Sequence, residues 1–369
     1  MALGNTASVM PSLAREVGGL YVAFPTNVSS PVLQVNDRCF PTSELNFPLS
    51  VSCYRFVART ANSCALFHSE LGYAPACLMA GVRYGVHLHG VTDVDLLFPK
   101  TPMGKLLKAR YREALANASY VVCHPAVLAK ARQLRPDAQA LRLPIDTAQF
   151  NPSVEPHRFE GSFPIFSPTR MDQWKGHETM WQALASMRHR DEVTVYQSDW
   201  GWEPQYTTLR REAPPNVRFI PVVPREKIAS FYAGASLVLG QMKIGDFGMA
   251  ELEAAATGTP TLVYLKDARA PFLPKFNDPK TLAGVLDEMV EDGELRSSYS
   301  RACRDYVLET SSLRSVSREL SAIFKKAHES ERPKMIGRSG LFLGSGFEIA
   351  GRSMGEKRFG LLKAALIGL

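Results

Sequence analysis

Short apolar runs alternate with longer segments of helical periodicity along most of the chain, and this pattern constrains the fold more than any other feature. A short apolar run suits a strand buried on both faces, and a helix between two such runs suits the crossover between parallel strands. The chain is therefore predicted to be an α/β protein built from parallel βα units. Its 369 residues are enough for two domains of ordinary size.

The alternating pattern falls into two series. Strands are predicted at residues 20–24, 64–68, 84–88, 120–123 and 140–143 in the first half, and at 163–167, 193–197, 217–220, 237–239 and 261–264 in the second. A first-half helix is predicted to begin with Thr101 as its cap and Pro102 in its first turn. Second-half helices are predicted at 177–188, 225–233, 247–257 and 279–290, with two more between 294 and 326.

A segment rich in proline and turn-forming residues, 146–161, separates the two series and predicts an interdomain linker. The domains are accordingly predicted at 1–150 and 151–330. Residues 331–369 carry seven basic, three acidic and eight glycine residues, which is typical of a loose basic tail. The alternative for this tail is a contact with a membrane surface, because Phe359, Leu361, Leu362 and Ile367 accompany its basic residues.

Whole-chain features favour a cytoplasmic protein. No run of eighteen apolar residues occurs, and the N-terminus lacks the basic start and apolar core of a secretory signal. The six cysteines show neither CxxC nor zinc-site spacing, which predicts reduced, packed thiols. The net charge of +7 suits a phosphorylated ligand or the inner face of a membrane. No nucleic-acid-binding module is recognised, so nucleic acid is not an expected partner.

The segment SPTRMDQWKGHETMWQAL, 167–184, is the first candidate site. A strand ends, two cations follow at Arg170 and Lys175, Gly176 turns the chain, and a helix begins. Loops at the carboxyl ends of parallel strands are where such sheets bind ligands. Two fixed cations at that edge suit a diphosphate, although surface arginines and lysines are more often simply solvated.

The segment GDFGMAELEAAATGTPTLVY, 245–264, is the second. Gly245 and Gly248 allow the backbone to approach a ligand, and the helix beginning near Phe247 offers free N–H groups to an anion. Glu253, about two turns into this helix, could accept hydrogen bonds from ribose hydroxyls. The alternative is an ordinary core helix with an exposed Glu251 and Glu253.

The segment VHLHG closes a first-half strand, and its His87 and His89 lie on one face. Such a pair could bind a metal together with Asp93 and Asp95, or one histidine could face a cleft while the other packs in the core. If these residues bind a metal that the activity requires, a chelator should inhibit that activity.

These segments together resemble the retaining family-4 glycosyltransferases, whose usual pattern is Arg-x4-Lys-Gly followed by Glu-x-Phe-Gly-x4-Glu-Ala-x3-Gly-x-Pro. The positions that match in order and spacing are Arg170, Lys175, Gly176, Phe247, Gly248, Glu253, Ala254, Gly258 and Pro260. The likeness covers residues 163–327, and VHLHG and LPIDTAQFNP are similar to the family's acceptor-side strand and linker. The chain departs from the pattern at Gly245, where the family has its first glutamate, and Asp246 is a candidate substitute.

The resemblance implies a GT-B architecture of two Rossmann-like parallel-sheet domains facing a cleft. It also implies transfer of a hexose from a nucleoside-diphosphate sugar with retention and without a metal or other cofactor. By this resemblance Arg170 and Lys175 neutralise the diphosphate, His89 holds the transferred sugar, and Glu253 holds the ribose. Further donor contacts fall to Asp246, Phe247, Gly248 and Met249. The acceptor is a saccharide, a lipid-linked sugar or a small molecule.

Two other classes of function remain open at this stage. A family member without catalytic activity, which binds a nucleotide sugar or a partner enzyme, fits the missing glutamate at Gly245. A dinucleotide oxidoreductase would need a glycine fingerprint, and the only glycine-rich candidate, LFLGSGFEIAG at 341–351, is not followed by a βαβ unit.

Overall fold

The computed structural model describes residues 2–3, 13, 16, 21–22, 51–62, 64–90, 97, 102–172, 174–267 and 269–329. Several features named above lie outside these residues: the helix cap at Thr101, the Asp93 and Asp95 pair, the tail at 331–369 and all but residues 21–22 of the strand predicted at 20–24. No helix in the described part of the chain has the length and apolar character that crossing a membrane requires.

The first sheet has six parallel strands: β1 (Ala2–Leu3), β2 (Tyr21–Val22), β3 (Phe67–Glu70), β4 (Tyr84–Leu88), β5 (Tyr120–Cys123) and β6 (Gln139–Ala140). Their order across the sheet is β2-β1-β3-β4-β5-β6. Helices α1 (Val51–Thr60), α2 (Ala74–Met79), α3 (Pro102–Asn117) and α4 (Leu128–Leu134) accompany it. All residues of β4 and β5 are buried, as expected for parallel strands covered on both faces.

The second sheet has five parallel strands: β7 (Phe163–Ser167), β8 (Val193–Ser198), β9 (Val217–Ile220), β10 (Leu237–Leu239) and β11 (Thr261–Leu262). Their order is β11-β10-β7-β8-β9. Its helices are α5 (His177–Ser186), α6 (Gln205–Arg211), α7 (Ile228–Gly234), α8 (Met249–Ala256), α9 (Pro279–Glu291) and α10 (Gly293–Thr310). Helix α11 (Leu313–His328) follows.

The α/β prediction is confirmed, and β4, β5, β7, β9 and β10 have the predicted bounds. The strand predicted at 64–68 lies at Phe67–Glu70 instead, because the polar His68 and Ser69 are buried in the sheet. Helices α1, α2 and α6 were not predicted. Helix α2 has six residues, all buried, and α6 has seven with a single buried one, so neither shows an amphipathic pattern.

The chain divides into two compact units, and the division differs from the predicted boundaries at 150 and 330. Of the described residues, those up to Arg142 and from Val316 to Glu329 form the first unit, and those from Leu143 to Ser315 form the second. The start of the predicted linker joins the second unit because Ile145 pairs with the backbone at Ser312. Most of α11 joins the first unit, where Phe324 packs on the rings of His68 and Tyr120 at centroid distances of 5.6 and 5.8 Å.

Candidate functional site

The second-half residues of the predicted site lie in the loops after β7 and β10, at the carboxyl edge of the second sheet, and on helix α8, which follows β10. Strand β10 is the neighbour of both β7 and β11 in the sheet, so the loops after these three strands start side by side. Ligands of parallel α/β sheets bind at this edge. The predicted residues of the second half therefore belong to one region of one unit, whereas His89 belongs to the first unit.

Asp172 organises the loop after β7. Its side chain is almost completely buried, and its Oδ2 lies 2.6 Å from Nε of Arg170. Its Oδ1 accepts the N–H groups of Trp174 and Lys175 at 2.7 and 3.1 Å. One carboxylate thus fixes the backbone that carries Lys175 and also orients Arg170.

Arg170 is held on two sides. Besides its ion pair with Asp172, its guanidinium lies 3.5 Å from the centroid of a Trp202 ring, a cation–π contact. The Arg170 side chain is 23% exposed. The sequence predicted that Arg170 would offer its positive charge to a diphosphate, but Asp172 already balances that charge within the protein. Lys175 forms no ion pair with any described residue, so it is the cation of this loop with charge to offer a ligand.

Gly176 lets the loops after β7 and β10 touch. Its φ is 77°, a left-handed conformation that favours glycine, and a β-carbon there would lie 2.9 Å from the carbonyl carbon of Met242. Met242 also donates its N–H to the carbonyl of Lys175 at 2.8 Å. The glycine therefore allows the backbone contact that places Lys175 beside the loop leading to α8.

Two buried side chains shape the loop between β10 and α8. The Gln241 side chain accepts the N–H groups of Lys243 and Ile244 at 3.1 and 2.8 Å and donates to the carbonyl of Asp246. Glu251, almost completely buried, accepts the N–H groups of Gln241 and Gly248 at 3.0 and 2.9 Å. Glu251 is therefore a buried cap, and the alternative that leaves it exposed on a core helix is wrong.

The amides at the start of α8 are not all equally available. Phe247 donates its N–H to the Asp246 carboxylate at 2.8 Å, and the N–H of Gly248 is bonded to Glu251. No described side chain caps the N–H of Met249. The positive end of this eight-residue helix faces the loop, and the first N–H groups of a helix have no acceptor within it. Of the three predicted amides, Met249 is thus the one free of a side-chain partner.

Glu253 is buried rather than exposed, with 2% of its surface accessible. Its Oε1 lies 2.6 Å from Nη1 of Arg225, and its Oε2 accepts a hydrogen bond from the Tyr232 hydroxyl at 3.4 Å. Burial raises the pKa of the Glu253 carboxyl, and the Arg225 charge opposes that shift. The short contact with Arg225 is an ion pair, and it compensates the charge of a carboxylate that is buried among protein atoms.

His89 belongs to a group of buried imidazoles in the first unit. Its ring stacks on His87 at a centroid distance of 4.0 Å, and its Nε2 lies 3.4 Å from the Glu70 carboxylate. His87 in turn lies 3.1 Å from Nε2 of His68, whose Nδ1 is hydrogen-bonded to the Tyr120 hydroxyl at 2.7 Å. Within the described residues, no group of three or more histidine, cysteine or acidic side chains could hold a metal.

Comparison with known families identifies the second unit. The family model described as glycosyl transferases group 1 matches residues 153–306. The second unit is thus similar to the group 1 glycosyltransferases over most of its length. The matched region contains the loops that follow β7, β10 and β11 in the sheet, including Arg170, Lys175 and Glu253.

The curated relatives of the chain match it over only part of their own length. One is a D-inositol 3-phosphate glycosyltransferase of Streptomyces avermitilis, 34% identical over 94 residues, covering 23% of this chain and 20% of the relative. Another, from Corynebacterium kroppenstedtii, carries the same description and is 27% identical over 210 residues, covering 49% and 46%. The chain thus spans less than half the length of these relatives.

Solved structures extend the likeness to both units. A sucrose-phosphate synthase from Thermosynechococcus elongatus aligns with a TM-score of 0.64 at 15% identity, covering 88% of this chain and 98% of the other. HepE from Anabaena, solved in complex with UDP-glucose, aligns with a TM-score of 0.66 at 15% identity, covering 88% and 99%. These similarities establish the GT-B fold, with its two parallel-sheet α/β domains.

Several residues that shape this site were not predicted. Asp172 could have been predicted from the sequence, because an aspartate in a turn commonly accepts the backbone N–H groups two and three residues after it. Trp202, Arg225 and Gln241 had none, because each meets its partner through the tertiary fold. Their contacts could not be inferred from spacing along the chain.

Replacing Asp172 by alanine in the second unit is expected to lower the free energy of unfolding by about 3 kcal/mol, the lower end of the cost of breaking a buried ion pair. Asp172→Asn should lose less, because its side-chain oxygen can still accept the two loop amides. Urea unfolding measures both. Asp191→Ala, at a carboxylate that is 93% exposed, is the matched control and should change little. A loss below about 1 kcal/mol for Asp172→Ala would contradict the organising role.

Proposed function

We propose that the chain is a retaining glycosyltransferase that moves a hexose from a nucleoside-diphosphate sugar to an acceptor without a metal. The observation that carries this proposal is the meeting of Lys175 with the loop that opens α8, through Gly176 and Met242. That arrangement puts a cation and a helix N-terminus at one sheet edge of the unit that is similar to the group 1 glycosyltransferases. The UDP-glucose complex of HepE supports the donor class.

The reaction places its new charge on the leaving group. The bond between the anomeric carbon and the β-phosphate oxygen breaks, and the acceptor oxygen bonds to the same carbon while its proton passes to the departing diphosphate or to water. Negative charge therefore grows on the diphosphate. The Lys175 ammonium and the positive end of α8 stabilise it where it develops.

The remaining predicted residues have distinct parts in this proposal. Arg170, oriented by Asp172 and Trp202, presents the rest of its guanidinium to the diphosphate. The Glu253 carboxylate, held by Arg225 and Tyr232, accepts a ribose hydroxyl. Asp246 positions the Phe247 amide, and Met249 supplies a free N–H. His89 is proposed to hold the transferred sugar. The acceptor, whether a saccharide, a lipid-linked sugar or a small molecule, and a cytoplasmic or membrane-peripheral location remain parts of the hypothesis.

A non-catalytic protein that binds nucleotide sugars is the second candidate function. The observation in its favour is Gly245, which provides no carboxylate where the family pattern has one and holds a left-handed φ of 78°. This candidate predicts nucleotide binding without turnover across a panel of acceptors. The catalytic proposal predicts release of a nucleoside diphosphate from at least one donor.

Nucleotide binding is tested by thermal stability with UDP, GDP, ADP and CMP, with NAD as the comparison dinucleotide. A ligand at 100 times its dissociation constant stabilises the folded state by about 2.7 kcal/mol, which a melting curve resolves. We expect one nucleoside diphosphate to raise the melting temperature and NAD to leave it unchanged. A chain stabilised by none of the diphosphates, or by NAD alone, would contradict both candidate functions.

A further inference from the structure

The side chain of Lys266 covers Gly245, the position where the family pattern loses its glutamate. Gly245 accepts a hydrogen bond from the N–H of Lys266 at 3.0 Å and forms a parallel bridge with Leu265. A β-carbon built on Gly245 would lie 2.6 Å from Cγ of Lys266 and 2.9 Å from its Cε. Any side chain at 245 would require a left-handed backbone and a displaced lysine, so Lys266 occupies the space that such a side chain would enter.

The charge of Lys266 is not balanced by its described surroundings. Its side chain is exposed, and it forms no ion pair with any residue that the structure describes. The neighbouring Asp267 pairs with Arg269 at 3.0 Å, and the Asp246 carboxylate accepts the N–H of Phe247. The Lys266 ammonium therefore lies at this end of the sheet edge without an acidic partner among the described residues, and its N–H groups can donate hydrogen bonds to a ligand.

The strand order places Lys266 at one end of the proposed donor. Arg225 follows β9 and holds Glu253, the proposed ribose contact, and Lys175 follows β7 at the proposed diphosphate. Strands β10 and β11 lie on the other side of β7 from β9. A donor with its ribose toward β9 and its diphosphate at Lys175 directs its sugar toward the loops after β10 and β11, where Lys266 lies.

We propose that Lys266 is a specificity-determining residue that selects an acidic sugar, so that the donor is a nucleoside-diphosphate uronic acid. This inference rests on the proposed function. A hexose hydroxyl can accept a hydrogen bond from an ammonium, but it is neutral, whereas a carboxylate both accepts the hydrogen bond and supplies the counter-charge. A carboxylate on the sugar meets the ammonium with a charge-assisted hydrogen bond, the stronger kind. Contact with a neutral sugar would desolvate the ammonium without supplying a counter-charge.

The test compares UDP-glucuronate with UDP-glucose by calorimetric titration, with UDP as the reference ligand. If guanine is the preferred base, GDP-mannuronate and GDP-mannose replace them. We expect the wild-type protein to bind the acidic donor about tenfold more tightly, as a charge-assisted hydrogen bond provides. Lys266→Met should remove this preference while leaving the affinity for UDP within about twofold, because UDP carries no sugar for Lys266 to contact.

Lys280→Met is the matched control, since Lys280 is an exposed lysine in the first turn of α9, where the segment after β11 ends. It should keep the wild-type preference. Equal wild-type affinity for both sugars, or a preference that survives in Lys266→Met, overturns the assignment of Lys266 while nucleotide binding still supports the proposed function. If neither the nucleotides nor the nucleotide sugars bind, the proposed function fails and this inference fails with it.

Discussion

Lys175→Ala lowers turnover of the nucleotide-sugar donor at least about a hundredfold, because removing one preorganised group that stabilises developing charge costs roughly 3–4 kcal/mol in the barrier. Lys175 is the group most suited to that part. Its backbone is fixed by Asp172 and Met242, and no described acidic residue neutralises it. The rate of nucleoside-diphosphate release at saturating donor measures the effect. The affinity for the donor should fall because its diphosphate is already charged when bound. The turnover number should fall as well, because the charge on the leaving group grows as the bond breaks.

Two further variants make this result specific. Lys175→Arg keeps the positive charge and should retain more turnover than Lys175→Ala, although a planar guanidinium does not reproduce the ammonium. Lys280→Ala removes the same charge from an exposed lysine on α9 and should turn over as the wild type does. Near-normal turnover in Lys175→Ala, with the fold intact by circular dichroism, would reject the assignment of this lysine to the diphosphate.

Acid destabilises the protein through its buried histidines, which is the second large effect that we expect. Burial lowers the pKa of His68 to about 3 and the pKa of His177 to about 4, and it lowers the pKa of His87 as well. In the unfolded chain these histidines bind protons near their ordinary pKa of 6.5, before the folded protein does. The stability that they contribute is therefore complete above pH 6.5 and is lost as the pH falls toward the folded-state pKa values.

The size of the acid effect follows from linkage. Each such histidine costs about 1.4 kcal/mol per pH unit below 6.5, so His68 alone removes about 2 kcal/mol at pH 5. Urea unfolding at pH 7.5, 6 and 5 measures the slope of stability against pH. His68→Gln lowers the slope by about one proton, whatever it does to stability at pH 7.5, because it removes one titrating group.

A variant that removes no titrating group provides the control for this slope. Gln182, on helix α5, is exposed, and Gln182→Ala should leave the pH slope as it is in the wild type. Stability that is flat between pH 7.5 and 5, or a slope unchanged by His68→Gln, would show that the buried imidazoles do not control the acid response.

Sequence prediction succeeded where a local pattern is sufficient. The strands at Tyr84–Leu88, Tyr120–Cys123 and Phe163–Ser167 were predicted with their bounds, because a parallel strand buried on both faces leaves a continuous apolar run. It failed at β3, because the polar His68 interrupts the apolar run that would mark a buried strand. That histidine is tolerated in the core because Tyr120 and His87 satisfy its two ring nitrogens.

The candidate site shows the same division. The order and spacing of Arg170, Lys175 and Glu253 predicted which residues gather at the sheet edge, because loops after parallel strands meet there. The electrostatic state of each residue could not be predicted in this way. Arg170 is paired with Asp172 and packed on Trp202, and Glu253 is buried against Arg225.

The sequence by itself therefore determined the α/β class and most second-half strands, since these follow from hydrophobic periodicity, and its motif spacing supplied the candidate site residues. Only the tertiary structure decided that α11 joins the first unit, that Lys175 is the unneutralised cation of its loop, and that Lys266 covers Gly245. Partners far apart along the chain meet only after the strands are ordered and packed, and charge balance depends on those partners.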